Sequence, residues 1–279
     1  MKTSTEKIKV WRPDDIEGVE LRTGEGVTSS YPRHWHEEYH LCVLEEGAGE
    51  LVYRGSRHFT AAGSLFIIEP GEVHSHNKPF DELRFRNLYA DAQLVRCTAS
   101  DIAGRDKSPP VFKEPVITDR DIIASYITLH SLMEKQASTL ERESLMIDFF
   151  AQLITRYGED RRIQKAGREQ QAVYRARDYL IENFSSNVSL QRLAEVARLS
   201  PFHLSRVFTA EMGMPPHAFQ TQVRVTRAKE MLRRGVAISR TAMETGFADQ
   251  SHLNRHFKRL LQVTPGQYIQ NSKNVQDRF

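Results

Sequence analysis

The sequence predicts a two-domain protein of the α+β class, with a β-rich N-terminal domain and an all-helical C-terminal domain. Its 279 residues suit two domains of ordinary size, and a hydrophobic content of 39% is enough for two cores. Short β-forming runs precede residue 90, and helical periodicity dominates after residue 170. The charge also divides: residues 1–165 carry 22 basic and 27 acidic side chains, whereas residues 166–279 carry 17 and 9. A basic excess confined to one domain is typical of a nucleic-acid or other anionic partner.

Residues 19–89 alternate short β-forming runs with turn residues such as Glu46-Gly47 and Pro70-Gly71. Strands are expected at residues 39–44, 49–53 and 64–68. This spacing favours a sandwich or barrel over a βαβ unit.

Two amphipathic helices are expected after Pro115, at residues 119–135 and about 140–157. They either cover an open edge of the barrel or pair with a second subunit. Residues 161–170 are charged and lack periodicity, so they are interpreted as a linker between domains at 1–160 and 171–279.

Six further helices are expected at residues 172–184, 190–197, 201–211, 216–232, 238–245 and 250–261. Ser189, Ser200 and Asp249 stand in N-cap positions, and Pro201 stands at a first helical position.

Several classes of protein are excluded by composition. No run approaches the roughly 18 apolar residues of a membrane span, and residues 1–20 lack the apolar core of a signal peptide. A cytoplasmic protein without a membrane partner is therefore expected. Cys42 and Cys97 are too few for a disulfide scaffold or a thiolate zinc site, and are interpreted as ordinary thiols. A sensor of DNA alkylation built on a thiolate cluster is excluded for the same reason.

The helical domain contains an internal repeat. Six residues recur 49 positions later: His203, Leu204, Arg206, Phe208, Pro216 and Phe219 correspond to His252, Leu253, Arg255, Phe257, Pro265 and Tyr268. Ala194 and Ala242 are 48 apart, so the second copy has one extra residue in its turn. Each copy is a short helix, a tight turn and a capped second helix, which is the pattern of a helix-turn-helix.

The second helix of each copy places Leu and Phe toward the core and leaves a polar face. The candidate base-contacting residues are Phe202, Ser205 and Arg206 in the first copy, and Gln250, Ser251, Asn254 and Arg255 in the second. Lys258, Arg259 and Arg240 are candidates for phosphate contacts. A solvated face is the alternative for a single copy, but two copies in a basic segment favour DNA. The joining helix, roughly 25 Å long, can place the two second helices in successive major-groove segments.

This domain resembles the DNA-binding domain of the AraC/XylS family of bacterial transcription regulators. The resemblance rests on SLQRLAEVARLSPFHLSRVF, on RVTRAKEML and above all on GFADQSHLNRHFKRLLQVTPGQY. It implies tandem helix-turn-helix units, promoter DNA and activation through RNA polymerase. Gln262 departs from the family's usual glycine, so the turn there either avoids a left-handed residue or strains Gln262.

The N-terminal domain resembles the cupin-type ligand-binding barrel of the same family over residues 31–76. The resemblance rests on HWHEEYH, Gly47, Gly63 and PGEVH. The even spacing of His34, His36 and His40 places them on one face if they share a strand, and His74 matches the late cupin histidine.

Three interpretations of these four histidines stay open: a pocket for a small effector, a divalent metal site, and purely structural roles. His40 stands where metal-binding cupins usually have Glu. Other polar groups that can converge on a ligand are Arg33, Glu38 and Glu72.

The sequence therefore predicts a non-enzymatic, dimeric transcription regulator, an activator by the family resemblance, controlled by an effector in the cupin pocket. The alternative is a metal-dependent cupin enzyme, such as a dioxygenase or isomerase, with a DNA-binding appendage.

Overall fold

The computed structural model describes residues 6–134, 138–159 and 167–273. They divide into two compact units, one formed mainly by residues up to Glu159 and the other mainly by residues from Gly167. Residues 160–166, most of the expected linker, lie outside the described residues.

The N-terminal unit is built on antiparallel strands in two main sheets. One sheet has the order β1-β2-β9-β4-β7-β11 and the other β3-β8-β5-β6. The strands are β1 (Lys7–Trp11), β2 (Val19–Val27), β3 (Tyr31–His34), β4 (Tyr39–Glu46), β5 (Ala48–Tyr53), β6 (Ser56–Ala61), β7 (Ser64–Ile68), β8 (His74–His76), β9 (Leu83–Ala90), β10 (Val111–Phe112), β11 (Val116–Ile117) and β12 (Gly158–Glu159). The three strands expected from the sequence are β4, β5 and β7, which are confirmed.

Each side chain of β4 has a defined side because alternate residues of a strand face opposite ways. Leu41 and Val43 join the larger core beneath the helices. Cys42 and Leu44 pack with Leu51 of the opposite sheet, so they face the interior between the two sheets. Every second residue of β4 therefore lines the inside of the β-rich domain.

Three helices pack on the larger sheet: α1 (Ala92–Ala103), α2 (Arg120–Glu134) and α3 (Thr139–Tyr157). Helices α2 and α3 correspond to the two amphipathic helices expected from the sequence. They cover the sheet, because Tyr126 of α2 and Phe149 of α3 are fully buried in the same core as Leu41. Leu140 and Ile147 of α3 stay exposed, so this helix also has an apolar face outside the core.

The second unit is helical: α4 (Arg168–Glu182), α5 (Leu190–Ala197), α6 (Pro201–Met212), α7 (Pro216–Arg233), α8 (Ile238–Glu244), α9 (Gln250–Leu261) and α10 (Pro265–Lys273). The linker prediction was wrong at its end, because residues 168–170 already belong to α4. Gly167 occupies the N-cap there and Glu169 lies in the first turn, where a negative charge favours the helix dipole.

The helix starts are fixed by the side chains expected to cap them. Ser189, Ser200 and Asp249 accept hydrogen bonds from the backbone amides of Arg192, His203 and His252. A reciprocal pair at α10 was not expected: Gln267 Oε1 accepts from the Thr264 amide at 2.8 Å, and Thr264 Oγ1 accepts from the Gln267 amide at 3.2 Å.

Gln262 adopts the left-handed conformation, with φ of 61°. Of the two outcomes considered for this turn, the structure has the one that strains Gln262. Gly213 ends α6 at the equivalent position with φ of 66°, where glycine carries no Cβ penalty.

Within the described residues, none of the helices is long and apolar enough to cross a membrane.

Candidate DNA-reading helices and histidine cluster

Helices α6 and α9 hold the residues predicted to read DNA. The residues expected to face the core do so. Leu204 and Phe208 of α6 are fully buried, as are Leu253 and Phe257 of α9. The caps fix the first residue of each helix, so the side chains of the first two turns have defined positions.

The opposite faces of these helices are open. On α6, Phe202 is 80% exposed, Arg206 is exposed and Ser205 is partly exposed. An exposed phenylalanine can contact a thymine methyl, and an arginine can bind guanine through two hydrogen bonds. On α9 the outward residues are Gln250, Ser251, Arg255 and Lys258, with Asn254 partly exposed. The structure thus presents all the predicted base-contacting residues at helix surfaces.

The three candidate phosphate contacts differ in their surroundings. Lys258 and Arg259 lie exposed in the last turn of α9. Arg240, by contrast, donates from Nε to Glu244 Oε1 at 2.6 Å, and this hydrogen bond raises the pKa of its guanidinium. A phosphate contact by Arg240 therefore requires exchange of its Glu244 partner.

Sequence reasoning missed a histidine pair on α9. His252 Nε2 and His256 Nε2 lie 3.0 Å apart, and the rings meet edge-on beside Phe247. Burial and then the neighbouring His252 lower the pKa of His256. The i, i+4 spacing of the two histidines was the available signal, because it places both on one helix face.

The structure brings together three of the four predicted effector-site histidines. His40 lies on β4, His74 starts β8, and His36 lies in the connection between β3 and β4. One ring nitrogen from each lies within 4.8 Å of the other two. His40 and His74 are buried and His36 is partly buried.

His34 does not join this group, and the expectation of one shared strand was wrong. His34 ends β3, where its Nδ1 bonds the Pro32 carbonyl at 2.8 Å. The chain leaves the strand before His36, so even spacing no longer determines a common face.

Two of the clustered rings are oriented by the backbone. His36 Nδ1 lies 2.8 Å from the Glu38 carbonyl, and His74 Nδ1 lies 3.1 Å from the Glu72 carbonyl. A carbonyl oxygen accepts only, so each Nδ1 carries the proton and the lone pair of the neutral ring lies on Nε2. Both carbonyls belong to residues expected to lie near a ligand, Glu38 and Glu72. Arg33, the third polar candidate, is exposed.

A row of paired residues across the sheet places further groups beside the cluster. In register, Glu20 of β2 faces Tyr89 of β9, and Tyr89 faces His40 of β4. The Tyr89 and His40 rings stack at 4.4 Å, and the Arg22 guanidinium lies 4.7 Å from the centre of the Tyr89 ring. Burial raises the pKa of the Tyr89 hydroxyl to about 12, so it is a hydrogen-bond donor at neutral pH.

Arg22 is held by a buried carboxylate. Its Nη2 donates to Glu20 Oε1 at 2.9 Å, and Arg12 Nη2 donates to Glu20 Oε2 at 2.7 Å. No sequence pattern identifies Tyr89, Arg22 or Glu20, because their relation to His40 depends on which strands pair. Together with the three imidazoles they form a polar end of the barrel interior that can bind a small molecule or a metal ion.

Comparison with known proteins agrees with this division of the chain. The model of an AraC-like ligand binding domain matches residues 18–150, and that of a helix-turn-helix domain matches residues 193–271. The chain is 27% identical over 236 residues to the HTH-type transcriptional regulator YbfI of Bacillus subtilis, covering 84% of this chain and 86% of the relative. It is 23% identical over 245 residues to the HTH-type transcriptional activator RhaS of Yersinia pestis, covering 85% and 88%.

Solved structures show the same fold. Apo ToxT from Vibrio cholerae superimposes with a TM-score of 0.60 at 12% identity, over 91% of this chain and 97% of ToxT. ToxT with a bound unsaturated fatty acid gives 0.56 at 12% identity, over 98% of each chain. With a ligand-binding domain followed by a helix-turn-helix domain, and relatives matched along most of their length, this chain belongs to the AraC family of transcription regulators.

Proposed function

We propose that this regulator binds promoter DNA through α6 and α9 and activates transcription in response to a small molecule bound in its N-terminal barrel. The observation that carries the proposal is the pair of capped helices with buried Leu and Phe on one face and exposed base-reading side chains on the other. We assign effector sensing to the domain of residues 1–160 and DNA binding to the helical domain, which the sequence placed at residues 171–279 and which begins with α4 at Arg168.

The joining helix α7 sets the spacing of the two readers. It has 18 residues, which corresponds to about 27 Å of helix. This length suits two helices in successive major-groove segments, which lie roughly 34 Å apart. Arg206 and Arg255 would read guanine, Gln250 and Asn254 adenine, and Ser205 and Ser251 either base.

The barrel interior is the proposed effector site, with His36, His40 and His74 as its polar groups. Bound fatty acid in ToxT supports ligand binding by this fold, and the name of RhaS supports activation. An effector changes DNA binding only as far as it binds one state of the regulator better than the other.

The remaining partners are proposed on physical grounds. The exposed Leu140 and Ile147 of α3 support a homodimer formed through this helix, because its other face is already used in the core. Activation requires contact with RNA polymerase, and both DNA and polymerase place the protein in the cytoplasm.

Arg255 and Lys258 provide the test of specific DNA binding. Arg255→Ala should cost about 1–3 kcal/mol at the cognate site and relax specificity at one base position, because a bidentate base contact is lost. Lys258→Ala should weaken all sequences alike and lower the salt dependence by about one phosphate contact. Binding is measured by fluorescence anisotropy on cognate and scrambled duplexes at several salt concentrations. An equal loss for Arg255→Ala on both duplexes would show that Arg255 contacts phosphate only.

The three-histidine cluster is the one observation that favours the alternative, a metal-dependent cupin enzyme with a DNA-binding appendage. That function requires turnover of a substrate by the metal-loaded protein. The relatives named above are transcriptional regulators, which favours effector sensing over an enzymatic function.

A further inference from the structure

We propose that His36, His40 and His74 bind a divalent transition-metal ion inside the barrel, and that this ion anchors an anionic oxygen ligand. The second part deepens the proposed function, since it assigns a chemical class to the effector. The first part stands on the geometry of the cluster alone.

The ring nitrogens are near the separation that one ion requires. Metal–nitrogen bonds of about 2.1 Å in tetrahedral geometry place two nitrogens roughly 3.4 Å apart. The three nitrogens here lie within 4.8 Å of one another. The widest pair therefore has to approach by at most about 1.4 Å for all three nitrogens to bind one ion.

The backbone prepares two of the ligands for a metal. Imidazole ligands of metal sites commonly donate their second ring N–H to a carbonyl or carboxylate, which fixes the tautomer and raises ligand basicity. His36 and His74 donate in this way to the Glu38 and Glu72 carbonyls. The nitrogen left as a ligand is therefore Nε2, both for His36 in the β3–β4 connection and for His74 at the start of β8.

The third ligand is held by stacking. The His40 ring stacks on the Tyr89 ring with an interplanar angle of 9°. The Phe66 ring meets the His40 ring edge-on at 5.4 Å. Such aromatic walls restrict access of water and fix the ring plane.

The ligand set selects the kind of ion. Three neutral imidazoles suit zinc, cobalt, nickel, copper or iron, whereas magnesium and calcium require oxygen ligands. Three protein ligands also leave at least one coordination position open.

The charge of the site then indicates what fills that position. Three neutral ligands leave the ion's double positive charge uncompensated in a buried site, which is unfavourable without a counter-charge. Two buried carboxylates of the barrel are already paired with arginines: Glu20 with Arg12 and Arg22, and Glu69 with Arg54 at 2.7 Å. An anionic oxygen donor, such as a carboxylate of the effector, supplies both the missing charge and the missing ligand.

Metal retention by the full-length chain is the first test. Protein stripped with a chelator is loaded with Co²⁺ or Zn²⁺, desalted and analysed by mass spectrometry. All variants carry His252→Ala, because the His252–His256 pair is a second possible chelate. We expect about one ion per chain in this background, loss of the ion on adding His40→Ala or His74→Ala, and retention with His130→Gln, which removes a buried histidine outside the cluster.

The visible spectrum of Co²⁺ keeps the test independent of variant folding. An ion bound by three imidazoles gives the intense bands of four- or five-coordinate cobalt, whereas a hydrated ion does not. Equal retention with and without His40 and His74, or a spectrum of hydrated cobalt only, overturns the metal site. Circular dichroism confirms that each variant is folded.

Acetate and benzoate test the ligand class. Either carboxylate should change the cobalt spectrum in a saturable way, and the change should be absent in the His74→Ala variant. A bound ion whose spectrum neither carboxylate alters overturns the anionic ligand but leaves the metal site standing. If the metal site is disproved, the DNA-binding test of Arg255 still stands. Failure of the metal proposal is therefore distinguishable from failure of the proposed function.

Discussion

His130 of α2 shows how burial controls a single side chain. Its Nε2 lies 3.2 Å from the Asn87 carbonyl, and its Nδ1 lies 3.4 Å from Arg86 Nη1. Nδ1 thus accepts while Nε2 donates, which is possible only for the neutral ring. Burial, and then the charge of Arg86, lower its pKa to about 4 from 6.5.

The pH dependence of stability follows from this shift. Above pH 6.5 the ring is neutral in both states and costs nothing. As the pH falls from 6.5 toward 4, the unfolded chain gains a proton that the folded chain excludes, so the free energy of unfolding falls by up to about 3 kcal/mol. His130→Gln should flatten this part of the profile.

Tryptophan fluorescence is the measurement, with urea unfolding at several pH values. Trp11 and Trp35 are the two tryptophans of the chain and both belong to the N-terminal unit, so they report on the domain that holds His130. An unchanged slope in the variant would assign the pH dependence to other groups.

Single residues were predictable from the sequence where they lie in a local pattern. The outward residues of α6 and α9 were found this way, whereas His74 came from the resemblance to the cupin barrel and His36 from an even spacing whose premise, a shared strand, was wrong. Tyr89 and Arg22 were not predictable, because strands far apart in the sequence bring them to His40. His34 was wrongly included, since the chain turns out of β3 before His36.

At the scale of elements, the two helix-turn-helix units form the same turn with different residues. The first turn uses Arg198 in the left-handed conformation, with φ of 58°, and the second uses Gly246, with φ of 76°. The starts of the two helices are 11 residues apart in the first unit (Leu190 to Pro201) and 12 in the second (Ile238 to Gln250), which confirms the extra residue.

Arg198 shows that the first turn accepts a residue with a side chain, but the equivalent Gly246 of the second turn has no room for one. A Cβ at Gly246 would overlap the backbone carbonyl of Ser185, whereas a Cβ at Gly235, also left-handed, meets nothing within 4 Å. Gly246→Ala should therefore destabilise the helical unit by about 2–4 kcal/mol. The matched variant Gly235→Ala should cost only about 1 kcal/mol, because it adds backbone strain without overlap.

Chemical unfolding followed by far-ultraviolet circular dichroism measures both variants. Similar losses for the two glycines would mean that the chain around Ser185 moves aside without cost.

Helices were predictable where apolar residues repeat with a clear period. The starts of α5 to α9 were all predicted correctly; Ser, Pro or Asp marks four of them, whereas α8 begins after Ala237, which gives no side-chain cap. Helix α1 was missed since its buried side includes Thr98 and Ala99 beside Val95, which gives little apolar signal. Helix α10 was also missed, because it opens with Pro265-Gly266, a pair typical of turns.

At the scale of the whole molecule, the two halves of the chain differ in net charge. The basic excess lies in the part that carries α6 and α9, and the acidic excess in the part that carries the histidine cluster. We therefore expect substitutions near the histidine cluster to alter ligand binding, and substitutions on α6 or α9 to alter DNA binding.

His36→Ala should abolish the effector response and leave DNA binding without effector unchanged. The effector is first sought by a thermal-shift screen of sugars, amino acids, aromatic acids and divalent ions, since a ligand at 100 times its Kd stabilises the folded state by about 2.7 kcal/mol. Anisotropy with promoter DNA then compares the variant with the natural sequence. A response that survives in the variant would place the pocket elsewhere.

The two cysteines differ in a way that is useful for following the molecule in solution. Cys42 is buried, and burial raises the pKa of its thiol, whereas Cys97 is exposed on α1. A maleimide dye at neutral pH should therefore attach to Cys97 alone. Mixed donor- and acceptor-labelled protein would report by energy transfer whether two chains associate, and whether the ligand or the DNA changes that association.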